Sequence, residues 1–134
     1  LLAPIVGGMQ RQVKECILRV RERKQRDGSL SQHQAISHRI ADMKVRAELA
    51  RLILYKFVWK KETSRRANIE ASMAKLFISE AAVQNTLDAL QIHGAYGYTC
   101  ESGFERAVRD AVGTRIASGT SDIQRTIIAK WLRL

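Results

Sequence analysis

Proline is almost missing from this chain: Pro4 is the only one among 134 residues. Proline removes a backbone donor and breaks helix interiors, so its scarcity leaves room for long uninterrupted helices. Cysteine is nearly as rare. Cys16 and Cys100 form neither a disulfide framework nor a Cys-x-x-Cys zinc pattern, and both read as reduced thiols of a cytosol-like compartment. No apolar run approaches the roughly 18 residues that a membrane span needs. The start, Leu1-Leu2-Ala3-Pro4, has no initiator Met and no charged n-region. It is expected to be the interior of a longer chain rather than a signal peptide.

What is present fits one helical domain. Hydrophobic residues make up 46% and charged residues 27%, enough for a real core in a chain of this length. The formal net charge is +10. Part of that excess is local: Gln10 to Arg26 holds seven Lys or Arg against Glu15 and Glu22. Such a stretch suits nucleic acid, a solvated face, or the phosphates of a cofactor. No aromatic residue lies within it to stack on a base, and no nucleic-acid motif is present, so nucleic acid is not expected as a partner.

Helical periodicity dominates. Ile5, Met9, Val13, Cys16 and Val20 fall at three- and four-residue spacings and make one apolar stripe. Asp27-Gly28-Ser29 breaks the pattern, and the short loop with Leu30 and Ser31 can cap the next helix. A second helix is expected from about Gln32 to Lys61, with Ile36, Ile40, Met43, Ala47, Ala50, Leu54 and Phe57 on one face. Thr63-Ser64 marks a turn. The third, about Arg65 to His93, aligns Ile69, Met73, Leu76, Val83, Leu87 and Leu90, with Glu80 on the same stripe as an ion-paired structural group. Helices of this length joined by short loops run antiparallel. The expected fold is therefore all-α: an antiparallel up-and-down bundle of the four-helix type. A glycine-interrupted loop, Gly94 to Tyr98, precedes a shorter helix from Phe104 to Ile116, and an extra C-terminal helix runs from Asp122 to Leu132.

Two loops offer places for a ligand. Gly94 and Gly97 permit positive φ and close backbone approach. Thr120 and Ser121 stand before a helix whose first N–H groups lack partners, which suits an anion or equally a plain N-cap. His33, His38 and His93 lack metal spacing and read as surface or capping residues. Arg109-Asp110 reads as a structural ion pair, with a ligand clamp as the alternative. No serine or cysteine has an evident activating partner.

Several strings carry a further signal by their order. Arg21-Glu22-Arg23-Lys24 leads into Gln32-His33-Gln34-Ala35-Ile36, Ile40-Ala41-Asp42-Met43 and Ala47-Glu48-Leu49-Ala50-Arg51. Ala74-Lys75, Gln91 through Tyr98, Arg109-Asp110-Ala111 and Gly119-Thr120-Ser121-Asp122-Ile123-Gln124-Arg125 follow. End to end, the chain resembles the C-terminal domain of the acyl-CoA dehydrogenase family. The resemblance implies a subunit with an N-terminal helical domain, a central β-domain and residues 1–134 as the C-terminal bundle. It implies FAD bound between the middle and C-terminal domains, with a neighbouring subunit also touching it. The activity implied is α,β-desaturation of an acyl-CoA or acyl-carrier-protein thioester, with electrons passing to an electron-transferring flavoprotein. A homo-oligomer, dimer or tetramer, is implied, with the bundles at its centre. The implied location is the cytoplasm, or the mitochondrial matrix in a eukaryote.

Carried over position by position, Arg23 matches the arginine that pairs with the FAD pyrophosphate across the subunit interface. A guanidinium suits that role through forked, permanently charged donors. Gln25 falls in the same cofactor-binding segment. Gln91, His93, Gly94 and Ala95 match the loop whose backbone approaches that pyrophosphate, and Thr120 and Asp122 match contacts to the adenosine portion. The Ser118 N–H matches the donor to the substrate thioester carbonyl. Three departures stand out. Arg26-Asp27 replaces a common Phe-Gly, Ala95 replaces the second glycine of its loop, and Ser118 replaces the catalytic Glu of many members. A serine hydroxyl has too high a pKa to be that base unaided. Three readings stay open: a base just upstream of this chain, other flavin chemistry such as a monooxygenase, or a non-catalytic subunit. The isolated chain is expected to be inactive and to bind FAD poorly.

Overall fold

The computed structural model describes every residue except Arg26, Asp27 and Arg65. Helix α1 spans Leu2–Glu22 and buries Val6, Met9, Val13, Cys16 and Val20. Four of the five stripe positions read from sequence are thus in the core, and Ile5 packs at its edge. Burial raises the Cys16 thiol pKa to about 12, with smaller contributions from Glu15 and Asp88, so this cysteine is an inert core residue.

Two short strands follow, β1 (Lys24–Gln25) and β2 (Gly28–Ser29), paired antiparallel with Lys24 opposite Ser29. A two-residue ladder has no alternation to read, so the sequence showed only a break there. The cap in this segment is Ser29, not Ser31. Its hydroxyl donates to the Val20 carbonyl at 2.6 Å and accepts the Ser31 N–H, opening a single 3₁₀ turn at Leu30–Gln32. Helix α2 (Gln34–Thr63) then starts from His33 with no side-chain cap. It begins two residues later than expected, because the 3₁₀ turn takes up Leu30–Gln32 before it, and also ends two residues later, at Thr63.

Helix α3 (Asn68–His93) is the hub. Its start corrects the expected Arg65, which lies outside the described residues. Its buried face also differs from the expected apolar stripe. Ile69, Met73, Leu76, Val83 and Leu90 are half-buried, and Leu87 is 44% exposed. The buried residues are mostly small or polar instead: Ala74, Ser79, Ala82, Asn85, Thr86 and Asp88 among them, with Ile78 at their centre. Neighbours on several sides explain the difference, because small residues let helix axes approach and leave no single core face.

The polar groups in this interior are paired, as burial requires. Asn85 donates to the Met43 carbonyl at 3.1 Å and accepts from Arg46 at 2.7 Å. Asp88 is held by Arg39 at 2.8 Å and by Arg46. Gln12 of α1 donates to Thr86 at 3.0 Å. The register of these pairs sets α2 antiparallel to α3.

After α3, Gly94 adopts φ +63° and starts a single turn, α4 (Ala95–Tyr98), so the expected loop is partly helical. Gly97 permits a close approach: a Cβ there would lie 2.7 Å from the Leu90 carbonyl oxygen and 2.8 Å from the His93 Cβ. A 3₁₀ turn at Cys100–Ser102 leads to α5 (Phe104–Ile116), with the expected bounds. Helix α6 (Ser121–Trp131) closes the chain. Arg115 of α5 meets Glu80 of α3, while Glu105 and Leu90 line one cavity, so α5 also runs antiparallel to the hub. The four long elements alternate in direction, as an up-and-down bundle does. No described helix is long and apolar enough to cross a membrane.

Candidate functional site

The candidate residues gather at two places. The first lies where α1 and α3 end together. Arg23 is the C-cap of α1: its N–H bonds the Arg19 carbonyl and its own carbonyl accepts from Leu30, both at 3.0 Å. With its backbone so fixed, the side chain of Arg23 is left exposed, as is that of Gln25. Across from them Gln91 is exposed in the last turn of α3, and its carbonyl accepts the Gly94 N–H at 3.1 Å. Gly94 and Ala95 are also open to solvent. Arg19 joins the two sides, its guanidinium lying 5.3 Å from the centre of the Tyr96 ring.

His93 is the exception in this group and corrects its reading as a surface or capping residue. It is buried, with Nδ1 2.8 Å from the Ala89 carbonyl oxygen and its ring 4.1 Å from that of Phe104. Burial pushes its pKa below the ordinary value and the Arg19 charge adds to this, although the Ala89 carbonyl opposes it. Its side chain therefore holds the turn from inside, while its backbone leads into Gly94.

Cations outnumber acids at this end of the bundle, where Glu22 stands among Arg19, Arg21, Arg23 and Lys24. Among the described residues, Arg19, Arg21, Arg23 and Lys24 have no carboxylate within ion-pair distance. The Arg19 Nε is buried with no hydrogen-bond partner. An orphaned donor on a charged group costs on the order of 1–3 kcal/mol. Clustered guanidinium groups beside an open glycine turn fit a diphosphate, which presents the charge and acceptors they lack.

The second place is the turn from α5 to α6. Ser118 has φ +56° and Gly119 φ +90°. Left-handed backbone is costly for a serine and persists only where its surroundings hold it. The hold is the buried side chain of Gln124, whose Nε2 donates to the carbonyls of Ser118 and Gly119, each at 3.4 Å. Ala117 closes α5 by donating to Gly113, whereas the N–H groups of Ser118 and Gly119 find no acceptor among the described residues. Thr120 caps α6, its Oγ1 accepting the Ile123 N–H at 3.3 Å. Asp122 is exposed and pairs with Arg125 at 3.0 Å.

Beneath this turn lies Glu80, 3.0 Å from Arg115 and 3.8 Å from Arg125. Burial works to raise its pKa. The adjoining Ser121 hydroxyl and the two guanidinium groups outweigh that and hold it below the ordinary carboxylate value. The buried Ser121 hydroxyl lies beside the carboxylate without reaching full hydrogen-bond geometry. Lys75 donates to the Arg115 carbonyl at 3.2 Å. The expected ion-paired role of Glu80 matches this arrangement. The expected Arg109-Asp110 pair does not form; Arg109 pairs with Glu105 one turn earlier.

Glu80 and Gln91 mark the two places along α3, and their separation is roughly 16 Å at 1.5 Å per residue. The chain thus brings Arg23, Gln25, Gln91, His93, Gly94 and Ala95 together, and separately Ser118, Thr120 and Asp122. Sequence reasoning missed Arg19 and Gln124. The spacing of Arg19 one turn before Arg23 was the available signal for the first. Gln124 offered none, because its role depends on the fold of the turn. Arg26 and Asp27, one of the sequence departures, lie outside the described residues.

Comparison with known proteins follows the same lines. The family model described as acyl-CoA dehydrogenase, C-terminal domain, matches residues 1–133. An L-prolyl-[peptidyl-carrier protein] dehydrogenase of Pseudomonas fluorescens is 41% identical over 134 residues, covering 100% of this chain and 35% of that protein. A probable acyl-CoA dehydrogenase, YngJ, of Bacillus subtilis is 42% identical over 132 residues, 98% of this chain and 35% of that protein. The FAD complex of PigA superposes with a TM-score of 0.96 at 41% identity, covering 100% of this chain and 35% of that one. The chain therefore spans about a third of the length of the curated relatives it matches.

Proposed function

The chain belongs to the acyl-CoA dehydrogenase family, as its C-terminal domain, and from that premise we propose that it serves in the FAD-dependent α,β-desaturation of an acyl thioester. FAD, when bound, supplies the acceptor for the hydride that leaves the β-carbon. The observation that carries the reading is the Ser118-Gly119 turn, left-handed, pinned by Gln124 and with its N–H groups unengaged. An N–H from this turn donates to the thioester carbonyl oxygen. That oxygen gains negative charge as the α-proton departs, so a fixed donor stabilises the transition state more than the ground state.

The base is another group. The Ser118 hydroxyl is too weakly acidic, and Glu80 is engaged by Arg115 and Arg125 beneath the turn. A carboxylate from outside this chain takes the α-proton in this reading. Arg23, Gln25 and the Gln91–Ala95 turn hold the dinucleotide's diphosphate, and Thr120 and Asp122 contact its adenosine portion. The carrier is CoA or an acyl-carrier protein; the relatives named above include a probable acyl-CoA dehydrogenase and a dehydrogenase of a prolyl group on a peptidyl-carrier protein. An electron-transferring flavoprotein is the proposed acceptor and the cytoplasm, or mitochondrial matrix, the location.

Assembly belongs to the same proposal. Leu52, Tyr55 and Trp59 on α2 and Trp131 on α6 are each more than half exposed. Large apolar surface of this kind marks a contact face, and a homo-oligomer built on α2 and α6 covers it. Anaerobic bleaching of the flavin in the full-length subunit, using acyl-CoA and acyl-carrier-protein thioesters, tests the function. Bleaching supports it. A flavin-loaded protein that stays oxidised with every thioester but consumes oxygen with NAD(P)H sinks it in favour of a monooxygenase, the reading that Ser118 in place of a glutamate supports.

A further inference from the structure

We propose that Arg19 is a second cation for the diphosphate of the flavin dinucleotide, acting beside Arg23; this rests on the FAD-dependent reading above. Three observations carry it. Arg19 lies four residues before Arg23, and residues so spaced share one helix face with their Cβ atoms about 6 Å apart. Its guanidinium is seated on Tyr96, 5.3 Å from the ring centre, in the turn that contains Gly94 and Ala95. Its Nε is buried without a partner, and no carboxylate lies within ion-pair distance among the described residues.

A simpler role is to offset the negative end of the α1 dipole. Arg21 and Lys24 sit exposed at the same helix end and do that without a fixed position. Dipole compensation needs neither a stacked guanidinium nor a desolvated Nε. A phosphate gains from such seating: stacking removes rotamer freedom before binding, and the planar fork then meets two oxygens at once. The diphosphate of CoA has the same chemistry. The dinucleotide is the better fit because Arg19 is built into the turn from Gln91 to Tyr96, roughly 16 Å along α3 from the thioester turn.

The test uses the full-length subunit stripped of flavin, with FAD affinity read by quenching of flavin fluorescence. Arg19→Gln is expected to weaken FAD about tenfold or more, the effect of losing one charge-assisted contact. Arg19→Lys, which keeps charge and stem but loses the fork, falls between it and the wild type. The gap narrows as salt is raised, and Arg19→Gln combined with Arg23→Gln loses less than the product of the single losses, since the two share one group. Melting of the flavin-free proteins separates a folding defect from a binding one. Unchanged FAD affinity in Arg19→Gln, or a loss in CoA affinity instead, overturns the proposal while leaving the dehydrogenase reading in place. A wild-type subunit that binds no FAD overturns both.

Discussion

Glu80 on α3 and Arg115 on α5 meet at 3.0 Å, fastening the hub helix to the last turn before Ser118. Replacing the carboxylate by an amide keeps the shape and removes the charge that Arg115 and Arg125 share. Glu80→Gln is expected to lower stability by on the order of 1 kcal/mol, since the side chains concerned are a third or more exposed and solvent weakens the pair. Its pH dependence has a defined sign. The folded carboxyl lies below its ordinary value of 4.5, so an unfolded chain takes up the proton first as pH falls. The contribution is complete above that value and is lost as pH falls through the lower, folded one. Urea titrations at neutral and acid pH should show a shallower acid decline in the variant.

Asn85 offers a sharper test of the interior. It is fully buried and bridges the Met43 carbonyl and the Arg46 Nε. Asn85→Leu is expected to cost roughly 2–4 kcal/mol, because a backbone acceptor and a cationic donor both lose their partner away from water. Chemical denaturation of the full-length protein measures it. A loss below 1 kcal/mol would show that water reaches these groups and that the hub is less closed than its burial indicates.

How far this architecture was readable depends on what each feature rests on. Helices α1 and α2 were legible because a 3.6-residue apolar period is a property of the chain itself. The buried face of α3 was not, since Ala74, Asn85 and Asp88 are interior only because α1, α2, α5 and α6 surround them. Arg23 and Ser118 were singled out through the family's motifs. Their division between two ends of the bundle was not legible, and neither was the choice of Arg19 from seven nearby cations. Which cation is desolvated depends on the position of Tyr96, far away in sequence.

Gly97 sits where α4 folds back on α3. Gly97→Ala would place a methyl 2.7 Å from the Leu90 carbonyl oxygen, and neither contact is the flexible end of a side chain. A loss of about 1–3 kcal/mol is expected, and the displaced α4 should move Tyr96 away from Arg19. The full-length variant should therefore release FAD more readily on dialysis than the wild type. Gly113→Ala, where nothing lies within 4 Å, is the matched control and should leave retention unchanged.

His93 links the first site to pH. Its folded pKa lies below the ordinary value of 6.5, chiefly because it is buried. The unfolded chain therefore binds its proton at a higher pH than the folded one. Stability from this group is complete above 6.5 and falls as pH drops through the folded value. Denaturation midpoints should decline between neutral pH and pH 5, and more steeply than in His93→Gln. Equal slopes would place the titration elsewhere.

Ser118 separates backbone from side chain. If the N–H of the turn polarises the thioester, the hydroxyl is dispensable, and Ser118→Ala in the full-length enzyme should reduce its flavin within a few-fold of the wild-type rate. Ser118→Gly should behave alike. It relieves a left-handed serine, worth roughly 1–2 kcal/mol, and loses roughly 0.5–1 kcal/mol to a freer unfolded chain, so a small net gain in stability of about 0.5–1 kcal/mol is expected. Ser118→Val is the opposite case, because a β-branched residue resists φ +56°. It should distort the turn and slow flavin reduction far more than it weakens FAD binding, which the proposed function places largely at the other end of α3. Stopped-flow bleaching of the three variants decides the matter. A hundredfold loss in Ser118→Ala would make the hydroxyl a participant and remove the backbone donor from the centre of the proposed chemistry.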